Sequence, residues 1–151
     1  MPVNPLWIKL GSTIHLFWYR MTGGLVGGNV LGMPALLLTT TGRKSGQQRT
    51  TPLMYLPDGE NMVVIASNGG NLNHPAWFLN LQANSEAEVQ VGRKTVRVKA
   101  EQASPEERQR LWPRAVKMYA NYDQYQKETK REIPVVILRP EVGLAEQGDA
   151  R

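Results

Sequence analysis

The sequence contains no cysteine. That excludes disulfides, a thiol nucleophile and thiolate-bound metals, and it suits a cytoplasmic setting. Histidine is nearly as scarce, with only His15 and His74 present. A two-histidine metal centre therefore finds no support, and no metal ligand is assigned. No acidic residue precedes Asp58, whereas Lys9, Arg20, Arg43, Lys44 and Arg49 all do. No run of about 18 uncharged apolar residues occurs, so no membrane-spanning helix is expected. The first residues lack the basic, apolar and small-residue pattern of a secretory signal, so none is expected. No Ser/His/Asp order or close carboxylate pair points to hydrolysis. This scarcity of acid–base groups suits chemistry carried by a cofactor.

What is present fits one domain. The chain has 151 residues, 41% of them hydrophobic, enough to bury a core. The net charge is +5. Its one-signed first third suits a phosphate-bearing ligand, an anionic membrane surface or nucleic acid, or belongs to a basic protein that is simply soluble.

Residues 6–21 read as an amphipathic helix, with Trp7, Leu10, Ile14, Phe17, Trp18 and Met21 at helical spacing. That stripe suits docking at a membrane surface, cover for a pocket, or ordinary packing on the rest of the fold. Gly23-Gly24 and Gly27-Gly28 then make a flexible connection. Six runs read as strands: 35–41, 50–56, 62–67, 88–91, 95–100 and 133–138. The 62–67 run is almost wholly apolar and should be buried. Residues 75–82 read as a short helix with Pro75 in its first turn. Ser104-Pro105-Glu106-Glu107 predicts a capped helix start, and Pro113 should kink the helix that follows. The order lacks regular strand–helix alternation, so the expected fold is mainly β with flanking helices, a six-stranded antiparallel barrel. The expected divisions are 1–33, 34–140 and a disordered tail, 141–151.

Three constellations carry candidate chemistry. Gly42-Arg43-Lys44-Ser45-Gly46 with Arg49 combines tight-turning glycines, cations and exposed N–H groups that could form an anion nest; a plain basic hairpin turn has the same composition. Ala66-Ser67-Asn68-Gly69-Gly70, followed by His74-Pro75-Ala76-Trp77, can let a flat ring lie on the backbone. His74 is either a general acid or a helix-entry residue bonded to a loop. Tyr119, Tyr122 and Tyr125 recur every three residues along a helix face, as an aromatic wall or as a core stripe.

Taken together, these segments resemble the deazaflavin-dependent nitroreductase family, whose members bind coenzyme F(420) in a split β-barrel of the FMN-binding type. The resemblance rests on Leu36–Gly46, Thr51–Tyr55, Val64–Gly70, His74–Leu81, Tyr119–Tyr125 and Ile133–Pro140. It implies that Arg43, Lys44, Ser45 and Arg49 hold the cofactor's phosphate and acidic tail. Thr50, Thr51, Pro52, Leu53 and Met54, with Ile65, Ala66, Ser67 and Asn68, would flank the ring. Ala76, Trp77, Phe78, Leu79 and Asn80 would complete the pocket. Tyr122 would meet both cofactor and substrate. Ser67, Tyr119, Tyr125 and Met54 would lie on the substrate side, with Ser67 and Tyr122 orienting a proton or a water. Met54 and Asn68 stand where the family's prodrug-activating nitroreductase carries Tyr and Lys.

The implied activity is hydride transfer from the reduced deazaflavin to a quinone, enone or nitro compound. The alternatives are an FMN-dependent reductase and a deazaflavin-binding or storage protein. Specific nucleic-acid binding is not expected, because no recognition motif or stacking platform joins a basic stripe. The expected partner is a small-molecule electron acceptor, with peripheral membrane contact through residues 6–21. The sequence leaves the oligomeric state open.

Overall fold

The computed structural model describes residues 29–30 and 33–141. The expected helix at 6–21, the glycine connection and the tail beyond Glu141 lie outside the described residues. The strands are β1 (Asn29–Val30), β2 (Met33–Thr41), β3 (Gln48–Met54), β4 (Leu56–Asp58), β5 (Asn61–Ile65), β6 (Glu86–Val91), β7 (Lys94–Gln102) and β8 (Val135–Pro140). The helices are α1 (Ala76–Ala83), α2 (Pro105–Met118) and α3 (Asn121–Glu128). A 3-10 turn covers Asn68–Gly70.

All six expected runs form strands. The described residues hold eight because the 50–56 run breaks at Tyr55 and because Asn29–Val30 pairs with the start of β2. Every pairing is antiparallel, in the order β1-β2-β6-β7-β8-β5-β4, with β3 on β2. The curled sheet does not close. Its two ends, β3 and β4, are joined by the chain through Tyr55, and no ladder links β3 to β4 or β5. Pro52 is tolerated in β3 because that strand pairs on one side only.

β5 and β8 explain their apolar runs. Val64, Ala66, Val136 and Leu138 face one core with Leu36, Leu38, Val89 and Val98, and α1 seals it with Trp77, Phe78 and Leu81. Val63, Ile65, Val135 and Ile137 face the opposite way, into a second core with Leu111, Ala115, Tyr122 and Ile133. Successive side chains point to opposite faces, so strands covered on both sides lose their polar alternation.

The capping box forms as expected: Glu107 N–H donates to Ser104 Oγ at 3.2 Å and Ser104 N–H to Glu107 Oε1 at 3.0 Å. Helix α2 runs through Pro113, whose side is exposed. Two boundaries differ from expectation. Pro75 is the residue before α1 rather than inside it, and its carbonyl accepts from Phe78 and Leu79. The tyrosines do not share a helix, because α2 ends at Met118, Tyr119 is extended (φ −145°, ψ 99°) and α3 starts at Asn121.

Candidate active site

The unclosed seam of the sheet holds a cavity of about 630 Å³, within the usual range for small-ligand pockets. One wall is β3, from Thr51 to Met54. The floor is Ile65, Ser67, Asn68 and Gly69, where β5 runs into the 3-10 turn. His74, Pro75, Ala76 and Trp77 enter from the start of α1, and Tyr119, Tyr122 and Tyr125 face them. Among the described residues no Asp, Glu, Lys or Arg lines the cavity.

The tyrosines form a connected cluster although a helix break separates them. The rings of Tyr119 and Tyr122 meet edge to face at 5.0 Å, and Tyr119 and Tyr125 lie 6.4 Å apart. The Tyr119 and Tyr125 hydroxyls are 3.4 Å apart, and Asn121 Nδ2 donates to Tyr119 Oη at 2.9 Å. Tyr122 is buried, and burial, with smaller effects from Tyr119 and Tyr125, pushes its phenol up to about 12. It is therefore a neutral donor or acceptor at physiological pH. The hydrogen bond with Tyr119 raises Tyr125 as well. The two readings of the stripe thus both hold: Tyr122 packs in the second core and all three residues line the cavity.

The floor loop uses unusual backbone. Ser67 is right-handed (φ −74°, ψ −33°), and Asn68, Gly69 and Gly70 all have positive φ, at 48°, 62° and 82°. Asparagine tolerates that region better than most residues. A Cβ on Gly70 would sit 3.3 Å from the Tyr125 ring and from Glu128 Oε2, so glycine lets the loop press against α3. Arg131, just after α3, ties the same loop from outside. Its guanidinium donates to the carbonyls of Ala66 (3.2 Å), Ser67 (2.8 Å) and Asn71 (2.9 Å) and bonds His74 Nδ1 at 3.1 Å. His74 is pulled below its ordinary value, chiefly by burial and then by that guanidinium. A neutral, bonded residue at the entry to α1 fits the loop role; it does not fit a general acid.

At the other end of β3 is the basic turn. Gly42 N–H donates to Gln47 O at 2.7 Å, Gly46 N–H to Gly42 O at 2.8 Å, and Gln47 N–H to Ser45 Oγ at 3.1 Å. A Cβ on Gly42 would meet Ser45 Oγ at 2.7 Å and the Gln47 carbonyl oxygen at 3.2 Å, so a side chain there would have to displace the Ser45 hydroxyl from the turn. Arg43 donates its backbone N–H and one guanidinium N–H to Asn80 Oδ1, both at 3.1 Å, while Asn80 Nδ2 donates to Thr40 Oγ1 at 3.1 Å. The expected open nest of N–H groups is therefore largely filled by the turn's own bonds. What remains for an anion is side-chain charge. Lys44 and Arg49 are exposed, and no carboxylate of the described residues forms an ion pair with them.

The structure brings together Thr51, Pro52, Leu53, Met54, Ile65, Ser67, Asn68, Ala76, Trp77, Tyr119, Tyr122 and Tyr125, all expected at a site. It places others elsewhere. Ala66 and Phe78 are core residues, and Leu79 packs against that core, because they point to the barrel side of their elements. Asn80 is buried and holds the basic turn instead of closing the ring pocket. Thr50 bonds Thr39 Oγ1 at 2.8 Å and lies off the cavity lining. Gly69 and Pro75 line the cavity without having been assigned to the pocket, and Arg131 supports it. Nothing local marks Arg131, since Lys130-Arg131-Glu132 reads as a solvated charge run.

The arrangement suits a flat cofactor with an anionic tail. The ring slot is apolar with hydroxyl and imidazole edges, and among the described residues no carboxylate lines it. Of the exposed cations, Arg49 lies on the same strand, about 7 Å from Thr51 by strand rise, and Lys44 lies in the turn that precedes it. Held there, a reduced deazaflavin supplies a hydride.

Comparison with known proteins agrees with this geometry. The profile of the F(420)H(2)-dependent quinone reductase family matches residues 12–140, so the likeness begins well before residue 34. An F(420)H(2)-dependent quinone reductase of Mycobacterium tuberculosis is 43% identical over 129 residues, 83% of this chain and 87% of the relative. A solved F(420)H(2)-dependent reductase is 41% identical with a TM-score of 0.66, covering 75% of this chain and all (100%) of that one. A second solved chain, described as a domain-swapped dimer, is 36% identical with a TM-score of 0.68, covering 90% of this chain and 100% of that chain. The split β-barrel and the deazaflavin-linked chemistry implied by the sequence are thus borne out, and the chain belongs to the F(420)H(2)-dependent quinone reductase family.

Proposed function

We propose that this protein binds coenzyme F(420) in the seam cavity, with the ring against Thr51–Met54 and the Ser67–Gly69 floor and the anionic tail at Lys44 and Arg49. The acceptor is a quinone that enters beside the tyrosines. The observation that carries this is the continuity of β3, which runs from the basic turn at one end to the cavity wall at the other. Tyr119 and Tyr125 shape the acceptor side, with Met54 opposite. Tyr122 and the Ser67 hydroxyl hold a water or a substrate oxygen in place. A phenol raised to about 12 is a poor proton donor, so water supplies the proton that completes the reduction.

Titration of the purified protein with F(420) and, separately, with FMN tests the cofactor. Binding of F(420), together with stoichiometric reduction of a soluble benzoquinone when the reduced form F(420)H(2) is added, supports the proposal. Preference for FMN would replace it with a flavin reductase. Binding without turnover would leave a storage protein. Peripheral attachment through residues 6–21, on the inner face of the cell membrane, is a companion proposal. It is favoured by Trp7, Trp18 and Tyr19 among Lys9 and Arg20 and by the lipophilicity of quinones. Salt-sensitive binding to anionic vesicles, lost on removal of that segment, would support it.

A further inference from the structure

The contacts of Arg131 do more than brace a loop. Arginine has five N–H groups and no acceptor. The 3.1 Å contact between its Nη1 and His74 Nδ1 therefore requires Nδ1 to carry a lone pair, which puts the imidazole proton on Nε2. The other three bonds of the same guanidinium, to Ala66, Ser67 and Asn71, fix its plane against the loop. The Phe78 ring, 4.8 Å away and inclined by 51°, restrains the imidazole from another side. Among the described residues no hydrogen bond occupies Nε2, and His74 lines the cavity.

We propose that Arg131 is a positioning residue that fixes His74 as a hydrogen-bond donor on the cavity wall, offering Nε2–H to a carbonyl oxygen of the bound ring or of the acceptor. This rests on the function proposed above. A neutral imidazole can polarise a carbonyl without giving up its proton, and such a donor stabilises negative charge that builds on oxygen as hydride arrives. No proton leaves His74. The charged and titratable groups around it are Arg131 behind, the phenols of Tyr119, Tyr122 and Tyr125 across the cavity, and Glu128 beside Gly70 on α3, where Gln124 donates to Glu128 Oε1 at 3.0 Å. Among the described residues no carboxylate lines this wall to favour the imidazolium. The proximity of the guanidinium opposes it.

Nitrogen NMR of histidine-labelled full-length protein tests the tautomer, with His15→Gln leaving His74 as the one signal. The expected result is a bare Nδ1, a protonated Nε2 and a titration displaced below the ordinary histidine value of about 6.5. Arg131→Gln should raise the titration toward that value without reaching it, because burial remains, and introduce a fall in activity below the new midpoint. In kinetics with a soluble benzoquinone, His74→Leu should lower kcat/KM about tenfold, and His74→Asn, which keeps an N–H donor, should recover most of it. F(420) fluorescence separates the two carbonyl sources. A weakened Kd for F(420) in His74→Leu assigns the bond to the ring, and an unchanged Kd with lowered kcat/KM assigns it to the quinone. A protonated Nδ1, ordinary titration in the unmutated protein, or unchanged Kd and kcat/KM in His74→Leu would each overturn the proposal. If the protein neither binds F(420) nor reduces quinone, the functional reading fails, and the NMR result still decides whether Arg131 sets the tautomer.

Discussion

The two ends of the candidate site, the basic turn before β3 and the loop that floors the cavity, are built in opposite ways. The basic turn at residues 42–49 is held mostly by neighbours: Gly42 with Gln47, Ser45 with Gln47, and Gly46 back to Gly42. The loop that floors the cavity is held by remote partners. Arg131 reaches Ala66, Ser67 and Asn71, and Gly70 rests against Tyr125. Apart from Arg43, which Asn80 holds from α1, a locally bonded turn presents its charge with little dependence on the rest of the fold. A floor assembled from distant segments exists only once the barrel and helices have docked. The difference predicts that removing the exposed cations of the turn changes affinity alone, whereas disturbing the packed floor loop changes stability and site geometry together.

The largest effect should come from removing the unpaired cations. Lys44→Ala with Arg49→Ala should weaken F(420) binding about a hundredfold, at roughly tenfold for each charge-assisted contact, and leave the melting temperature in place. The loss should shrink as salt rises. An unchanged affinity at low and moderate salt would remove the turn from the site.

Gly70→Ala should break the other side of the comparison. A side chain there meets φ +82° and the Tyr125 ring at 3.3 Å, so the expected cost is about 1–3 kcal/mol in denaturant unfolding. Cofactor affinity should fall with it. A fully stable variant would show that the loop is not pressed against α3.

Tyr122→Phe sharpens the contrast within the wall. It should retain the fold and F(420) binding while lowering kcat several-fold, as expected for an orienting hydroxyl rather than a proton source. A phenol raised to about 12 also predicts a pH effect. The unfolded phenol ionises near 10 while the folded one holds its proton, so this contribution to stability is complete below about pH 10 and is lost as pH climbs toward 12. Tyrosinate absorbance followed during alkaline unfolding checks it.

The smallest effect lies away from both ends. Asp58 accepts from Arg110 Nη1 and Nη2, both at 3.0 Å, and from Arg114 Nη1 at 2.9 Å, tying the β4–β5 hairpin to α2. These bonds lower its carboxyl to about 2. A depressed carboxylate stabilises the fold above the unfolded value near 4, and this is lost as pH falls from about 4 to about 2. Asp58→Asn should cost about 1 kcal/mol, because both arginines are half exposed and solvent screens them. Acid unfolding curves of the two proteins should converge near pH 2. Curves that stay parallel there would assign the cost to packing instead.

Much of the site was legible because its signals are short-ranged or periodic. Glycine spacing and cation clustering located the basic turn, and the Ser67–Gly70 run located the cavity floor. The capping box at Ser104 and Glu107 formed as written, because a cap is a contact between residues three apart. The missed residues share one physical reason. Asn80 holds Arg43 across 37 positions, and Arg131 bonds His74 across 57. Phe78 and Leu79 were assigned to the pocket with their neighbours, but helix α1 turns them toward the barrel core. The described structure also splits the tyrosines between an extended Tyr119 and α3, which their even spacing hid.

By itself the sequence determined the chemistry available: no thiol, no carboxylate-rich centre, few histidines, and cations gathered on one turn. Its apolar runs and turn residues determined which segments became strands, because burial and turn geometry act on neighbours. Only the tertiary structure decided that the sheet stops short of closing between β3 and β5, and that the cavity opens in that seam. It alone decided that Arg131 faces inward to the loop instead of outward to water. Such choices depend on which distant donors and acceptors become neighbours after burial, when an unpaired polar group is costly and a remote carbonyl is the partner within reach.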